Sequence, residues 1–191
     1  MNNLFKVYLS SAISIELEQS IKFCQTYDTY LEVSQFSIPE LWTIDIKKEM
    51  EKLKQKLPQK AAENLSFHGA FYDLSVTSID PKIAQASRER TLESINFAKA
   101  FGGKTIVFHL GYNNNIKSDA YTQSFIENHI DYWKQTVKLV EGTPLVIALE
   151  NTYEESPFIL KEILDAVDSP NLKTCIDTGH VNCYTQYDLI Y

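Results

Sequence analysis

One stretch constrains the rest of the chain. Pro144 to Asn151 reads PLVIALEN: a turn entry, a continuous apolar run, then a single carboxylate, Glu150. An apolar run of this length between turn signals reads as a strand buried on both faces. A carboxylate at its C-terminal end has left the apolar layer and points into whatever lies above it. Three other runs end in the same way. SFHG ends on His68, VFHLG on His109, and TCIDTGH on Asp177 with His180 one turn later. Four consecutive strands therefore end on side chains that can ligate a metal.

The segments around these runs alternate in period. Leu4 to Leu9 is a short apolar strand, and Leu17, Ile21, Cys24 and Tyr27 then share one helical face. Tyr30 to Phe36 alternates as a strand does. Ile46, Met50, Leu53 and Leu57 return to helical spacing before the third strand, Leu65 to His68. The next helix opens on Asp80-Pro81, an N-cap with proline at the first helical position, and closes at Gly102-Gly103. After the fourth strand, Thr105 to Leu110, a helix carries Ile126, Ile130, Trp133, Val137 and Val140 on one face. Ser156-Pro157 caps a fifth helix with Ile159, Ile163 and Val167, and the sixth strand runs from Leu172 to Asp177.

Strict strand–helix alternation with apolar strands implies a parallel sheet with helices outside. Right-handed crossovers then bring every C-terminal strand end to one side. The spacing is regular: 41 residues separate His68 from His109, and 41 separate His109 from Glu150. Such spacing fits successive units of a parallel (β/α) TIM-type barrel. A doubly wound open sheet is the other fold that alternates in this way. An eight-unit barrel takes about 250 residues. This chain of 191 residues is expected to form one domain, 1–191, of five βα units plus a sixth strand, C-terminally truncated relative to the full barrel.

Composition excludes other classes. A net charge of −7 without a Lys/Arg cluster argues against a general affinity for nucleic acid. Cys24, Cys175 and Cys183 lack CxxC spacing and read as reduced thiols of a cytoplasmic protein. Glu16 and Glu18 interrupt any signal-peptide core, and no apolar run approaches a membrane span.

In a parallel barrel the C-terminal strand ends converge on one site. His68, His109, Glu150 and Asp177 would then stand around one rim, and imidazole with carboxylate suits Zn²⁺, Mn²⁺ or Fe²⁺, with Zn²⁺ or Mn²⁺ expected, better than Ca²⁺ or Mg²⁺ alone. Each of these residues alone has a structural reading, as a hydrogen-bonded strand end or a loop cap. Four at matching heights on successive strands point to a metal site. Gly69, Gly111, Thr178 and Gly179, just after them, leave room for close approach. His129, in mid-helix, is expected on the outside of the fold and carries no function.

The segments FHGAFYDL with SIDP, FGGKTIVFHLGY, VIALEN and DSPNLKTCIDTGH resemble the xylose isomerase-like TIM-barrel superfamily. That superfamily holds sugar isomerases and epimerases and the endonuclease IV type of apurinic-site nuclease. The resemblance covers roughly Asn64 to Asn182, with YLEVSQFS agreeing loosely before it. It implies that His68 and His109 are the histidines of one metal site, with Glu150 shared with a second metal and acting as acid/base. It implies further that Asp177 is the second carboxylate ligand and that His180 contacts substrate or metal. In such proteins a further histidine and a second catalytic glutamate come from strands seven and eight, which this sequence lacks.

The implied function is a metal-dependent sugar or sugar-phosphate isomerase or epimerase, working by proton abstraction next to a carbonyl. A metal-dependent phosphodiester hydrolase on abasic DNA uses the same ligands. A non-catalytic metal- or ligand-binding barrel fragment is the third reading. Strands one and six would leave unpaired apolar edges, so self-association is expected, with the apolar tail Val181 to Tyr191 as the alternative cover.

Overall fold

Each apolar run becomes a strand, and each 3.6-period segment a helix packed over it. The structure is a computed structural model that describes residues 6–11, 17–39 and 46–185. In chain order it contains β1 (Tyr8–Ser10), α1 (Leu17–Tyr27), β2 (Tyr30–Val33), α2 (Ile46–Lys56), α3 (Gln59–Ala62), β3 (Ser66–His68) and α4 (Pro81–Ala100). There follow β4 (Thr105–His109), α5 (Asp119–Thr136), β5 (Val146–Glu150), α6 (Pro157–Val167), β6 (Leu172–Cys175) and α7 (Thr178–Tyr184). Among the described residues, no helix is long and apolar enough to cross a membrane.

The six strands form one sheet in sequence order, β1-β2-β3-β4-β5-β6, every pair parallel. A doubly wound sheet would reverse its order at a switch point. An unbroken order keeps all crossovers on one side, so the sheet is a partial (β/α) barrel. Among the described residues β1 pairs only with β2, and β6 only with β5.

Strand alternation divides the two faces. Leu31, Val33, Phe67, Ile106, Phe108, Ile147 and Leu149 are buried under the helices, where Met50, Leu53, Ile95, Trp133 and Ile163 meet them. Each such side chain contributes about 1.5–3 kcal/mol of burial. The alternate positions, Glu32, Ser66, His68, Val107, His109, Ala148 and Glu150, are left for the inner face.

The helix starts follow the capping chemistry of the sequence. The Asp80 carboxylate accepts from the Lys82 and Ile83 amides, and the Ser156 hydroxyl from Phe158. Some boundaries differ. The first strand is observed as Tyr8–Ser10, and the start of its expected range lies outside the described residues. The second ends at Val33, and Gln35–Ser37 form a short 3₁₀ turn. Serines cause this break. The Ser34 amide donates to the Ser11 hydroxyl at 3.0 Å, and the Ser37 hydroxyl to the Ser34 carbonyl at 2.6 Å, in place of ladder bonds. The sixth strand ends at Cys175 and not at Asp177, which instead caps α7, and residues 181–184 of the expected tail lie in that helix. Residues 186–191 of that tail lie outside the described residues.

His129 overturns its expected outward position. It is fully buried, with Nδ1 accepting from the Trp133 indole at 3.2 Å and Nε2 facing the Thr77 hydroxyl at 3.1 Å. An indole N–H can only donate, so Nδ1 is bare and Nε2 carries the proton. Burial pushes its pKa down from 6.5 to about 3, against the Leu110 carbonyl, which raises it. The unfolded chain therefore takes up the proton first. The stabilisation is complete above pH 6.5 and is lost as the pH falls toward 3. Between pH 7 and pH 5 the wild type should lose about 2 kcal/mol of unfolding free energy relative to His129→Gln, read from urea unfolding. Equal losses in both proteins would contradict the neutral buried ring.

Candidate metal centre

The register of three strands builds the centre. His109 and Glu150 are direct partners at the ends of β4 and β5, while His68 ends β3 opposite Val107. His68 Nε2 and His109 Nε2 each lie 3.7 Å from the same Glu150 oxygen, Oε2. The two imidazoles meet edge to face, centroids 4.9 Å apart. His68 Nδ1 lies 2.9 Å from the Gly69 carbonyl, which can only accept, so its Nε2 lone pair is turned toward Glu150.

Glu150 is 8% exposed. Burial alone would raise its pKa, yet the His109 and His68 imidazoles hold it down to about 2. Burial likewise works to lower the pKa of His68, but Glu150, the Gly69 carbonyl and Glu32 together raise it. The pair thus prefers a carboxylate beside positive charge. A divalent cation would supply that charge.

A second group shares the same carboxylate. Glu150, Asp177 and His180 can also bring ligand atoms within 4.8 Å of one another, as can His68, His109 and Glu150. Asp177 Oδ1 accepts the His180 amide at 2.8 Å as the cap of α7, and Oδ2 lies 3.8 Å from His180 Nδ1. His180 Nδ1 is 3.5 Å from Glu150 Oε1, but its hydrogen bond runs to the Asn151 carbonyl at 2.8 Å. That bond places the proton on Nδ1 and leaves Nε2 as the acceptor.

Three participants escaped the sequence reading. Asn151 accepts the Asp177 amide at 2.7 Å and donates to the Asp177 carbonyl at 3.1 Å, which draws the end of β6 to that of β5. Glu32 is coupled to His68 and Glu150, and its pKa is raised by burial against the pull of His68 and Ser10. Its signal was present: in YLEV it lies on the face opposite Leu31 and Val33. Glu154 is 2% exposed, with Oε2 accepting the Thr152 amide at 2.6 Å and Oε1 without a hydrogen-bond partner. Burial raises its pKa. Gly69 does not face a ligand; a Cβ there would meet the Phe108 ring at 2.1 Å. Gly111 turns the chain after β4 at φ +78°.

Beside His109 and His180 opens a cavity of ≈ 510 Å³, walled by Phe71, Tyr72, Thr152 and Tyr153. Its size suits a small molecule. Phe71 stacks on Tyr72 with centroids 4.3 Å apart, and Tyr153, another wall residue, meets Tyr184 at 4.8 Å.

The donor set fits a divalent metal. Around a four-coordinate zinc with bonds of about 2.0–2.1 Å, neighbouring donor atoms stand about 3.3 Å apart. The 3.7 Å separations of the two imidazole nitrogens from Glu150 need little closure.

The family described as xylose isomerase-like TIM barrel matches residues 32–191. The uncharacterized protein MJ1311 of Methanocaldococcus jannaschii is 27% identical over 121 residues, 60% of this chain and 41% of that protein. The chain thus spans well under half of that curated relative. The TTHB071 protein from Thermus thermophilus, soaked with ZnCl₂, superposes with a TM-score of 0.78 at 20% identity, over 95% of this chain and 69% of that one. A D-tagatose 3-epimerase-like protein gives 0.70 at 23%, over 93% and 67%.

Imidazole proton resonances followed by NMR in metal-free protein should place the His68 titration above 6.5, and Glu150→Gln should move it down. An unmoved His68 would contradict the shared carboxylate.

Proposed function

Because the chain belongs to the xylose isomerase-like TIM-barrel family, we propose that it serves as a metal-dependent sugar isomerase or epimerase, acting by proton transfer next to a carbonyl. The observation that carries this reading is the buried Glu150 carboxylate facing two imidazoles beside a small-molecule cavity.

His68, His109 and Glu150 would hold the metal, and Asp177 and His180 would stand on the far side of Glu150. The bound metal, Zn²⁺ or Mn²⁺, would supply Lewis acidity to the oxygens of the substrate. The remaining chemistry belongs to the chain. Glu150 is ionised at neutral pH, so it would both help to hold the metal and serve as the base. His180 offers its bare Nε2 to a substrate hydroxyl. Phe71, Tyr72 and Tyr153, which wall the cavity, would offer ring faces to the C–H groups of the substrate. A single carboxylate can shuttle a proton between adjacent carbons on one face, as aldose–ketose interconversion needs. Inversion at one carbon needs a second group on the opposite face.

Purified protein should be assayed with a panel of ketoses, aldoses and their phosphates, with Zn²⁺ or Mn²⁺ added. Turnover should appear with metal, fall with chelation, and drop at least about 100-fold in Glu150→Gln with the circular dichroism unchanged. Retained turnover in that variant would defeat the role of Glu150. Incision of abasic DNA without sugar turnover would defeat the isomerase reading.

A further inference from the structure

The segment from Gly69 to Asp80, between β3 and α4, contains turns and no helix or strand. It nevertheless forms one wall of the cavity, through Ala70, Phe71, Tyr72, Asp73, Leu74 and Val76. It also carries Phe71, whose ring lies 4.9 Å from that of His68 and 4.4 Å from that of His109. A segment without its own ladder takes its position from anchors.

Several anchors come from α4, the helix that the segment itself leads into. The Ala70 amide donates to the Ser94 hydroxyl at 3.2 Å, the Ser75 amide to Ser87 at 2.8 Å, and Arg88 Nε to the Val76 carbonyl at 2.9 Å. These hold the segment against α4. At its start the Gly69 amide also donates to the Val107 carbonyl of β4 at 2.8 Å, eight residues before Thr77.

The contact from His129 is of another kind. It reaches Thr77 from α5, 52 residues away in sequence. His129 is itself rooted by the Trp133 indole, and Trp133 lies 5.9 Å from Phe108, the neighbour of His109 on β4. The chain of contacts Thr77–His129–Trp133–Phe108 thus joins the segment to the strand that carries His109. Both ring nitrogens of His129 are engaged, one as acceptor and one as donor, which suits an anchor with a single orientation.

We propose that His129 is a positioning residue: through Thr77 it ties the β3–α4 segment, and with it Phe71, over the His68–His109 pair. It touches neither the imidazoles' lone pairs nor the cavity. It acts by holding one wall in place.

Amide hydrogen exchange measured by mass spectrometry tests this without reference to any activity. Thr77→Val removes the hydroxyl with little change of shape and leaves His129 its Trp133 partner. Exchange across residues 70–78 should quicken by about tenfold, the loss of one ordinary buried hydrogen bond, while β4 and β5 keep wild-type rates. Thr77→Ser, which retains the hydroxyl, should stay within about twofold of wild type. His129→Gln, with an acceptor and a donor of its own, should fall between the two. Unchanged exchange of 70–78 in Thr77→Val would overturn the proposal. So would acceleration spread equally over β4 and β5, which would reduce His129 to general core packing.

Discussion

The structure depends on one buried carboxylate held between two imidazoles. Burying Glu150 alone would cost several kcal/mol, and an isolated group would take up a proton instead. His68 and His109 reverse that preference, each 3.7 Å from one oxygen. The arrangement needs three parallel strands in sequence order, because only adjacent C-terminal ends bring three such side chains together. The apolar helix-facing side supplies the stability that allows the inner face to carry polar groups.

What surrounds that carboxylate is positioned from two directions. On the β6 side Asn151 binds the backbone of Asp177 in both directions, and His180 returns to the Asn151 carbonyl. On the β3 side a turn-rich segment lays Phe71 over the imidazoles. Thr152 and Glu154 order the loop that follows β5. The candidate centre is therefore backed by hydrogen bonds that set ring orientation, as a ligand shell requires.

His68, His109 and Glu150 were legible because each ends an apolar run, and such an ending has no reason in core packing. The order of the strands followed from alternation and from the equal spacing of those residues. Asn151 was not legible as a clamp, since its partner lies 26 residues away and only strand pairing joins them. Glu32 was not singled out, because a period of two separates its face from that of Leu31 and Val33 but does not say which face meets the site. His129 stands three residues after Ile126 and four before Trp133, on the buried stripe itself. Set beside the stripe of Ile130 and Trp133 instead of on it, the residue was expected outside, and the structure buries it. Its two hydrogen bonds resolve the conflict.

The central claim, that His68, His109 and Glu150 form one metal centre, meets its most direct test in zinc K-edge X-ray absorption of the zinc-loaded protein. A first shell of nitrogen and oxygen at about 2.0–2.2 Å is predicted, with the outer-shell scattering of imidazole. That outer-shell signal should weaken in His109→Ala. A spectrum without imidazole scattering, or one identical in the variant, would contradict the account.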